Sequence, residues 1–141
     1  MALPAGVSRD TRVRSGLVAA VSLALGLGLQ LLERTPIVDV LGSVVYIVFI
    51  ASALRAIWPV LGAVACSAAA FGFATLVELS QLTEWPQRVV EAFPPSRLLL
   101  GSAFDPIDVF AYAGGAVLAF LVHVAMVGRA RVAAPSAVAG D

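Results

Sequence analysis

The fold follows from a stretch of 22 residues that carries no charge, residues 56–77, which read AIWPVLGAVACSAAAFGFATLV. A helix needs about 20 apolar residues to cross the ~30 Å hydrocarbon core of a bilayer. Three further uncharged windows occur in the chain, at residues 15–32, 40–54 and 109–128. All four windows are continuously apolar rather than alternating, which favours helices over a β-barrel. We therefore predict an all-α integral membrane bundle of four transmembrane helices.

The composition of the whole chain supports the same class. Hydrophobic residues make up 60% of the 141 residues, and 9 basic residues balance 9 acidic ones. A mean hydropathy of +0.97 is too high for a water-soluble domain of this size, which could not cover so much apolar surface with so few charges. A chain with no lysine and no net charge also lacks the basic face that nucleic-acid phosphates require. We therefore expect the lipid bilayer as a partner and no nucleic acid.

The predicted domain boundaries follow from the charges that end each window. Residues 15–128 form the predicted transmembrane domain, which lies between two cytoplasmic tails, residues 1–14 and the disordered residues 129–141. The second span extends beyond its uncharged window if Asp39 lies at the membrane interface. The predicted spans cover about residues 15–32, 37–54, 57–79 and 107–128.

Arginine placement predicts the orientation, because cytoplasmic loops are enriched in basic residues. With a cytoplasmic N-terminus, six arginines lie inside and three lie outside. The six are Arg9, Arg12, Arg14, Arg55, Arg129 and Arg131, and the three are Arg34, Arg88 and Arg97. We therefore expect a multi-pass protein of the cytoplasmic membrane with both termini in the cytoplasm.

Small residues recur at four-residue spacing on three of the predicted spans. Such stripes let helix backbones approach closely in lipid. Together they predict a compact bundle in which Gly115 has a structural role. The stripes are Gly16, Ala20, Ala24 and Gly28 on the first span, Gly62, Cys66, Ala70 and Ala74 on the third, and Ala111, Gly115 and Ala119 on the fourth.

Polar residues gather where the third span ends and the fourth begins. An acid at the edge of a span is costly unless it is paired or hydrated, so we expect the acids of this region to share neighbours. Asp105 precedes Pro106, a pattern typical of an N-cap followed by a first-turn proline, and we expect Asp105 to be structural. The residues predicted to meet at this level are Glu78, Gln81, Asp105, Asp108 and Tyr112.

The connection between these two spans, residues 82–106, contains Arg97. We expect Arg97 to pair with Glu78 or Asp108, because a buried acid needs an opposite charge nearby. The cluster then has two interpretations, both of which are open. It is either a structural salt-bridge network or a polar pocket that binds a ligand.

The remaining reactive side chains predict neither a metal centre nor a catalytic site. His123 has no second histidine and no cysteine pair in the chain to complete a metal site, so we interpret it as a hydrogen-bonded histidine inside the bundle. Cys66 is the single cysteine and has no disulfide partner in the chain. No histidine relay supports a serine nucleophile. We therefore expect no cofactor and no metal, and the residues lend no support to an enzymatic activity.

Two motifs resemble the signatures of a known family. Residues 77–82 read VELSQL, and residues 97–101 read RLLLG and are followed by Phe104, by DVFAY at residues 108–112 and by Gly115. These motifs resemble a family of small bacterial membrane proteins known as domain of unknown function 2809, which is similar in plan to the VanZ-like proteins. VanZ-like proteins also combine a glutamate and a glutamine with a later arginine and aspartate. The resemblance implies six family positions: Glu78, Gln81, Arg97, Gly101, Asp108 and Tyr112.

One position departs from the family pattern. The second span of family members often begins with Gly-Asp, whereas Gly42 is followed here by Ser43. VanZ-like members are linked to tolerance of glycopeptide antibiotics, and extending that link to this chain would rest on fold-level analogy alone. Gly101 is expected to be structural.

Three classes of function are open. The favoured one is a binding protein for a polar or lipid-linked ligand of the cell envelope, and its candidate ligand-binding residues are Glu78, Gln81, Arg97, Asp108 and Tyr112. The second is a small proton-coupled transporter, for which a chain this short would need at least a homo-oligomer. The third is a structural or assembly protein without a ligand. The first span has no charge, which counts against the transporter, because small four-helix exporters usually keep their essential acid there.

Reporter fusions test the predicted orientation. Alkaline phosphatase fused after Gly128 should be inactive, whereas the same enzyme inserted within residues 84–95 should be active, because it folds only outside the cytoplasm. Phosphatase activity from the fusion after Gly128 would contradict cytoplasmic termini.

Overall fold

The computed structural model describes residues 5–100 and 104–132, and every regular element in these two ranges is helical. The predicted all-α fold is therefore confirmed. Gly101 and residues 133–141 lie outside the described residues, so their predicted roles stay predictions. The helices are α1 (Ala5–Leu29), α2 (Pro36–Ile57), α3 (Ala63–Ser80), α4 (Trp85–Ala92), α5 (Arg97–Leu100) and α6 (Pro106–Val132), with a 3-10 turn at Pro94–Ser96.

Four of these helices are long and apolar enough to cross a membrane, as predicted. Their apolar stretches contain 18 to 22 residues each. Many large apolar side chains point away from the bundle, among them Leu76 and Phe110. Such an outward surface suits lipid rather than water. The stretches are Arg9–Leu29, Pro36–Ile57, Ala63–Ser80 and Pro106–Val127.

The first helix extends beyond the predicted span. α1 begins at Ala5, so the charged residues before the first uncharged window are helical, and their place in a cytoplasmic tail stays a prediction. Arg14 and Asp10 lie one turn apart there and form an ion pair of 2.9 Å. Because such pairs stabilise a helix surface, the helix continues through residues that hydropathy alone excludes from it.

Pro36 and Pro59 occupy different positions relative to the helices that follow them. Pro36 occupies the first turn of α2, behind an N-cap at Thr35 whose hydroxyl accepts from the Val38 N–H over 3.3 Å. Pro59 does not begin the third helix in the same way. It lies in a turn instead, and α3 begins at Ala63. The φ angle of proline suits a turn as well as a first helical turn, so the residue alone does not separate the two.

α2 is the central helix of the bundle. It packs against α1, α3 and α6, and α3 also packs against α6, whereas α1 packs mainly against α2. The short connections make α1, α2 and α3 antiparallel neighbours. α6 runs parallel to α2, since Ser43 contacts Asp108 near the start of both helices and Ser52 contacts His123 further along.

The stripes of small residues predicted on α3 and α6 lie in the core, except for Gly62, which is exposed at the N-cap of α3. Ala70, Ala74 and Ala119 are fully or almost fully buried around Ile47, the largest apolar side chain with no exposed surface. Small residues on α3 and α6 therefore bring these helices close to α2, as expected for packing in lipid.

The stripe predicted on α1 is wrong. Ala20, Ala24 and Gly28 are exposed, and a neighbouring face carries the buried residues Ser15 and Ala19 instead. α1 has small residues on more than one face, so their spacing does not identify the face that meets α2. Contact with the rest of the bundle determines which face of α1 is buried.

Gly115 lies at the closest approach between α6 and α2. A Cβ atom at this position would lie 2.9 Å from the carbonyl oxygen of Val44 and 2.9 Å from the Cβ of Ile47. Both neighbours belong to the helix core and have little freedom to move. The next residue back, Gly114, has no atom within 4 Å of the equivalent position.

Gly115→Ala should therefore destabilise the protein, whereas Gly114→Ala should not. The added methyl group forces α6 and α2 apart, and overpacking of this kind costs about 1–3 kcal/mol. Thermal unfolding in detergent measures the difference, and Gly114→Ala controls for the general effect of replacing a helical glycine. Equal unfolding temperatures for the two variants would argue against a close crossing at Gly115.

Candidate functional site

One end of the bundle carries the acids predicted to cluster, and we call it the acidic end. It lies where α3 ends and where α2 and α6 begin. The acidic side chains at this end are Asp39, Glu78, Asp105 and Asp108.

Glu78 lies in the last turn of α3 and is 1% exposed. Its Oε1 accepts a hydrogen bond of 2.6 Å from the backbone N–H of Asp105, and its Oε2 accepts one of 3.0 Å from the Tyr112 hydroxyl. A buried carboxylate is costly unless its oxygens are hydrogen-bonded. Here both oxygens are bonded, and both donors come from α6 or the residue that caps it, so Glu78 ties α3 to the start of α6.

Asp105 caps α6 in the way that its position before Pro106 suggests. Its Oδ1 accepts from the Ile107 N–H over 2.9 Å, and its carbonyl oxygen accepts from the Asp108 N–H over 3.0 Å. A side-chain acceptor at the N-cap satisfies one of the backbone donors that the first helical turn leaves unpaired. The cap also fixes the backbone N–H that Glu78 binds.

Asp108 connects α6 to α2. Its Oδ1 accepts a hydrogen bond of 2.6 Å from the Ser43 hydroxyl. Ser43 stands where the resemblance to the family leads us to expect an aspartate. The hydroxyl supplies a donor to Asp108, which an ionised aspartate at the same place could not do.

The connection between α3 and α6 is held against the acidic end by two side chains. The amide Nε2 of Gln81 donates to the Leu100 carbonyl oxygen over 2.6 Å, and the Tyr46 hydroxyl donates to the Leu99 carbonyl oxygen over 3.0 Å. The ring of Tyr46 also lies 6.3 Å from that of Tyr112, between their centroids. α5 is therefore fixed over the predicted cluster.

The predicted pairing of Arg97 is wrong. Arg97 is exposed, and in residues 5–100 and 104–132 the ion pairs are Arg14 with Asp10 and Arg88 with Glu84. Hydrogen bonds from neutral groups take its place, because a backbone N–H and a tyrosine hydroxyl already satisfy Glu78. Arg97 nevertheless stays at the acidic end, at the start of α5.

A cavity of about 700 Å³, here called the acidic-end cavity, brings the predicted residues together. Side chains of both charges line it, and so do apolar side chains of α1 and α2. Each of the five candidate ligand-binding residues contributes to its wall. The charged and polar lining residues are Ser22, Gln30, Arg34, Asp39, Ser43, Tyr46, Glu78, Gln81, Arg97, Asp105, Asp108 and Tyr112, and the apolar ones include Leu23, Leu27, Val45, Phe49, Val77 and Phe104.

Six of the polar lining residues were missed from the sequence: Ser22, Gln30, Arg34, Asp39, Ser43 and Tyr46. Helix periodicity carries a signal for three of them, because Asp39, Ser43 and Tyr46 are spaced by four and three residues and therefore share one face of α2. Arg34 lies in the connection before α2, where spacing carries no comparable signal.

No group of three or more metal-ligating side chains occurs in the part of the chain that the structure describes. His123 is fully buried, and its Nε2 lies 3.1 Å from the Ser52 hydroxyl. Its other ring nitrogen, Nδ1, is buried without a hydrogen-bond partner. His123 lies toward the opposite end of α6 from the cavity.

Comparison with protein families matches residues 32–116 to the family described as a protein of unknown function, DUF2809. The chain belongs to this family. The matched segment extends from just before α2 into the first half of α6, and it contains all the polar residues of the acidic-end cavity except Ser22 and Gln30. The similarity to VanZ-like proteins stays a prediction. Neither a curated protein nor a solved structure matches the chain.

Glu78→Leu should destabilise the bundle, and Glu78→Gln should do so much less. Leucine leaves the Asp105 N–H and the Tyr112 hydroxyl without an acceptor, and each buried unsatisfied group costs about 1–3 kcal/mol. Glutamine can accept from the N–H and donate to the hydroxyl, so it keeps both contacts. Tyr112→Phe leaves Oε2 of Glu78 without its donor and should cost about 1–3 kcal/mol.

Thermal unfolding in detergent and the abundance of membrane-inserted protein measure these effects. Glu91→Leu replaces an exposed glutamate on α4 and serves as the control. If Glu78→Leu unfolded at the same temperature as Glu91→Leu, the two hydrogen bonds of Glu78 would not hold α3 to α6.

Proposed function

We propose that the acidic-end cavity binds an amphiphilic ligand of the cell envelope, whose polar headgroup enters the cavity while its apolar part lies against α1 and α2. The observation that carries this proposal is the lining: one cavity of about 700 Å³ combines both signs of charge with an apolar wall. Ligand sites commonly have this size and a few polar groups among apolar ones. A purely polar solute would leave the apolar wall unused.

Arg97 and Arg34 indicate the anionic part of the headgroup. Both arginines are exposed and line the cavity. Arg97 forms no ion pair with a residue in the described ranges. Guanidinium groups suit phosphate because their planar N–H donors match its oxygens. The headgroup therefore carries a phosphate that these arginines hold.

Asp39 and Asp108 indicate the second part of the headgroup. Four acids and two arginines line the cavity, so an anionic headgroup alone would face an excess of carboxylates. A hydroxyl or ammonium group next to the phosphate supplies the donors that carboxylates accept. The Ser43 hydroxyl bonds to Oδ1 of Asp108, and the ligand offers its donor to the second oxygen, Oδ2.

Glu78 and Tyr112 hold the wall of the cavity in this proposal and do not touch the ligand. Both oxygens of Glu78 accept hydrogen bonds within the protein, and its side chain is almost fully buried. Glu78 is therefore a positioning residue that holds the wall of the cavity, with Tyr112 as its partner. Arg97 and Asp108 are the residues that touch the ligand.

The acidic end faces the extracytoplasmic side in this proposal, because most arginines lie toward the opposite end of the chain's helices. Proton transport through the bundle receives less support than binding. The middle of the bundle is filled by buried apolar side chains, among them Ile47, Ala51, Ala70 and Ala119. A proton path would need polar groups or water at that level.

Lipid retention in native mass spectrometry tests the proposal. The full chain is purified in a mild detergent and exchanged into micelles that contain phosphatidylethanolamine or phosphatidylcholine. Both lipids carry the phosphate, but only phosphatidylethanolamine has N–H donors. We expect phosphatidylethanolamine to be retained about tenfold better, since one charge-assisted hydrogen bond is worth about 1.5–3 kcal/mol.

Two variants separate the two halves of the headgroup. Asp108→Asn should remove most of the preference for phosphatidylethanolamine, and Arg97→Gln should weaken retention of both lipids. Arg88→Gln is the control, because Arg88 is also exposed but is paired with Glu84. Retention by Asp108→Asn and Arg97→Gln equal to that of the unmodified protein would reject the cavity as the binding site and favour a structural role.

A further inference from the structure

A second layer of buried polar side chains lies at the end of the bundle opposite the acidic end. We call it the basic-end layer and define it as Ser15, Ser52, Arg55, Ser67 and His123, all of which are buried. They come from α1, α2, α3 and α6, so all four spanning helices contribute. The Ser52–His123 contact of 3.1 Å joins α2 to α6 within this layer.

Arg55 is the charged member of the layer and has unmet hydrogen-bonding capacity. It lies in the last turn of α2 and is 7% exposed. Its Nε and Nη1 atoms are buried and have no hydrogen-bond partner among the described residues. The dipole at the C-terminal end of α2 favours a cation there, but it does not supply acceptors for two N–H groups of a guanidinium.

The other members of the layer also have polar atoms with unmet hydrogen-bonding capacity. Among the described residues, the hydroxyl groups of Ser15 and Ser67 and the Nδ1 atom of His123 are buried without a hydrogen-bond partner. Among the described residues of α1, the acid nearest this layer is Asp10, and it pairs with Arg14 over 2.9 Å. The layer therefore holds a buried positive charge together with hydroxyl groups whose hydrogen bonds are unmet.

We propose that the basic-end layer is a phosphate-binding site in which the Arg55 guanidinium holds the phosphate and the Ser67 hydroxyl donates to it. A phosphate offers several strong acceptor oxygens and the negative charge that a buried arginine otherwise lacks. The headgroup of an anionic phospholipid and free inorganic phosphate both supply this chemistry. Arg55 lies two residues before the end of α2, at the level where a bilayer presents its headgroups.

This site is separate from the acidic-end cavity. Ser67 and Glu78 lie eleven residues apart on α3, which corresponds to about 16 Å along the helix. The apolar core around Ile47 and Ala70 lies between the two levels. Binding at one end can therefore fail while binding at the other end persists.

Thermal unfolding of the delipidated full chain in neutral detergent tests the proposal. One arm adds phosphatidylglycerol to the micelles, and a second arm adds inorganic phosphate, with sodium chloride at matched ionic strength as the reference. We expect one of the two probes to raise the unfolding temperature of the unmodified protein. Stabilisation by phosphatidylglycerol alone identifies a lipid headgroup as the source, and stabilisation by inorganic phosphate identifies a soluble one.

Arg55→Gln should weaken binding of the effective probe at least tenfold, because glutamine keeps hydrogen-bonding groups but removes the charge. Arg12→Gln is the matched control, since Arg12 lies near the same end of α1 and is exposed. Ser67→Ala should weaken binding less than Arg55→Gln does. Should Arg55→Gln fail to fold, Ser67→Ala and Arg55→Lys carry the test, with Arg55→Lys expected to retain part of the binding.

Two results would overturn the proposal. The first is an unmodified protein that neither probe stabilises beyond the sodium chloride reference. The second is an equal response of Arg12→Gln and the Arg55 and Ser67 variants, which would show that the phosphate interacts with the surface and not with the layer.

Discussion

The packing of helices at the acidic end depends on the hydrogen bonds that one buried carboxylate, that of Glu78, accepts. Glu78 has no cation against it and instead accepts hydrogen bonds from the Asp105 N–H and the Tyr112 hydroxyl. The Asp105 N–H belongs to the start of α6, where backbone donors converge and the helix dipole favours negative charge. The end of α3 therefore binds to the beginning of α6 as an anion binds at a helix N-terminus. This contact holds together two helices that a long connection separates in the chain.

Neutral hydrogen-bond donors satisfy Glu78, and the other charged side chains of the acidic end are therefore not needed to balance its charge. Arg97 is not needed to balance a buried acid, and it lies exposed at the wall of the acidic-end cavity. Asp108 accepts a hydrogen bond from the Ser43 hydroxyl. An aspartate at residue 43 would instead bring a second carboxylate against Asp108, so the serine avoids repulsion between like charges at this contact.

The two ends of the bundle have opposite electrostatic character. The acidic end has more acids than arginines around an open cavity, whereas the basic-end layer holds Arg55 among hydroxyl groups and a histidine. The apolar core around Ile47 separates them.

The sequence by itself determined the helical class, the four apolar helices, the cap at Asp105 and the acids that meet at one end, because hydropathy, capping and helix periodicity are local properties of the chain. The tertiary structure decided which face of α1 is buried, which groups satisfy Glu78, and that Ser43 joins the site. It also decided that Arg55 is buried rather than exposed at the end of a span. Each of these depends on which helix faces which neighbour, and several faces of an alanine- and glycine-rich helix can pack closely in lipid. Contacts between residues distant in the chain determine which of these faces pack together.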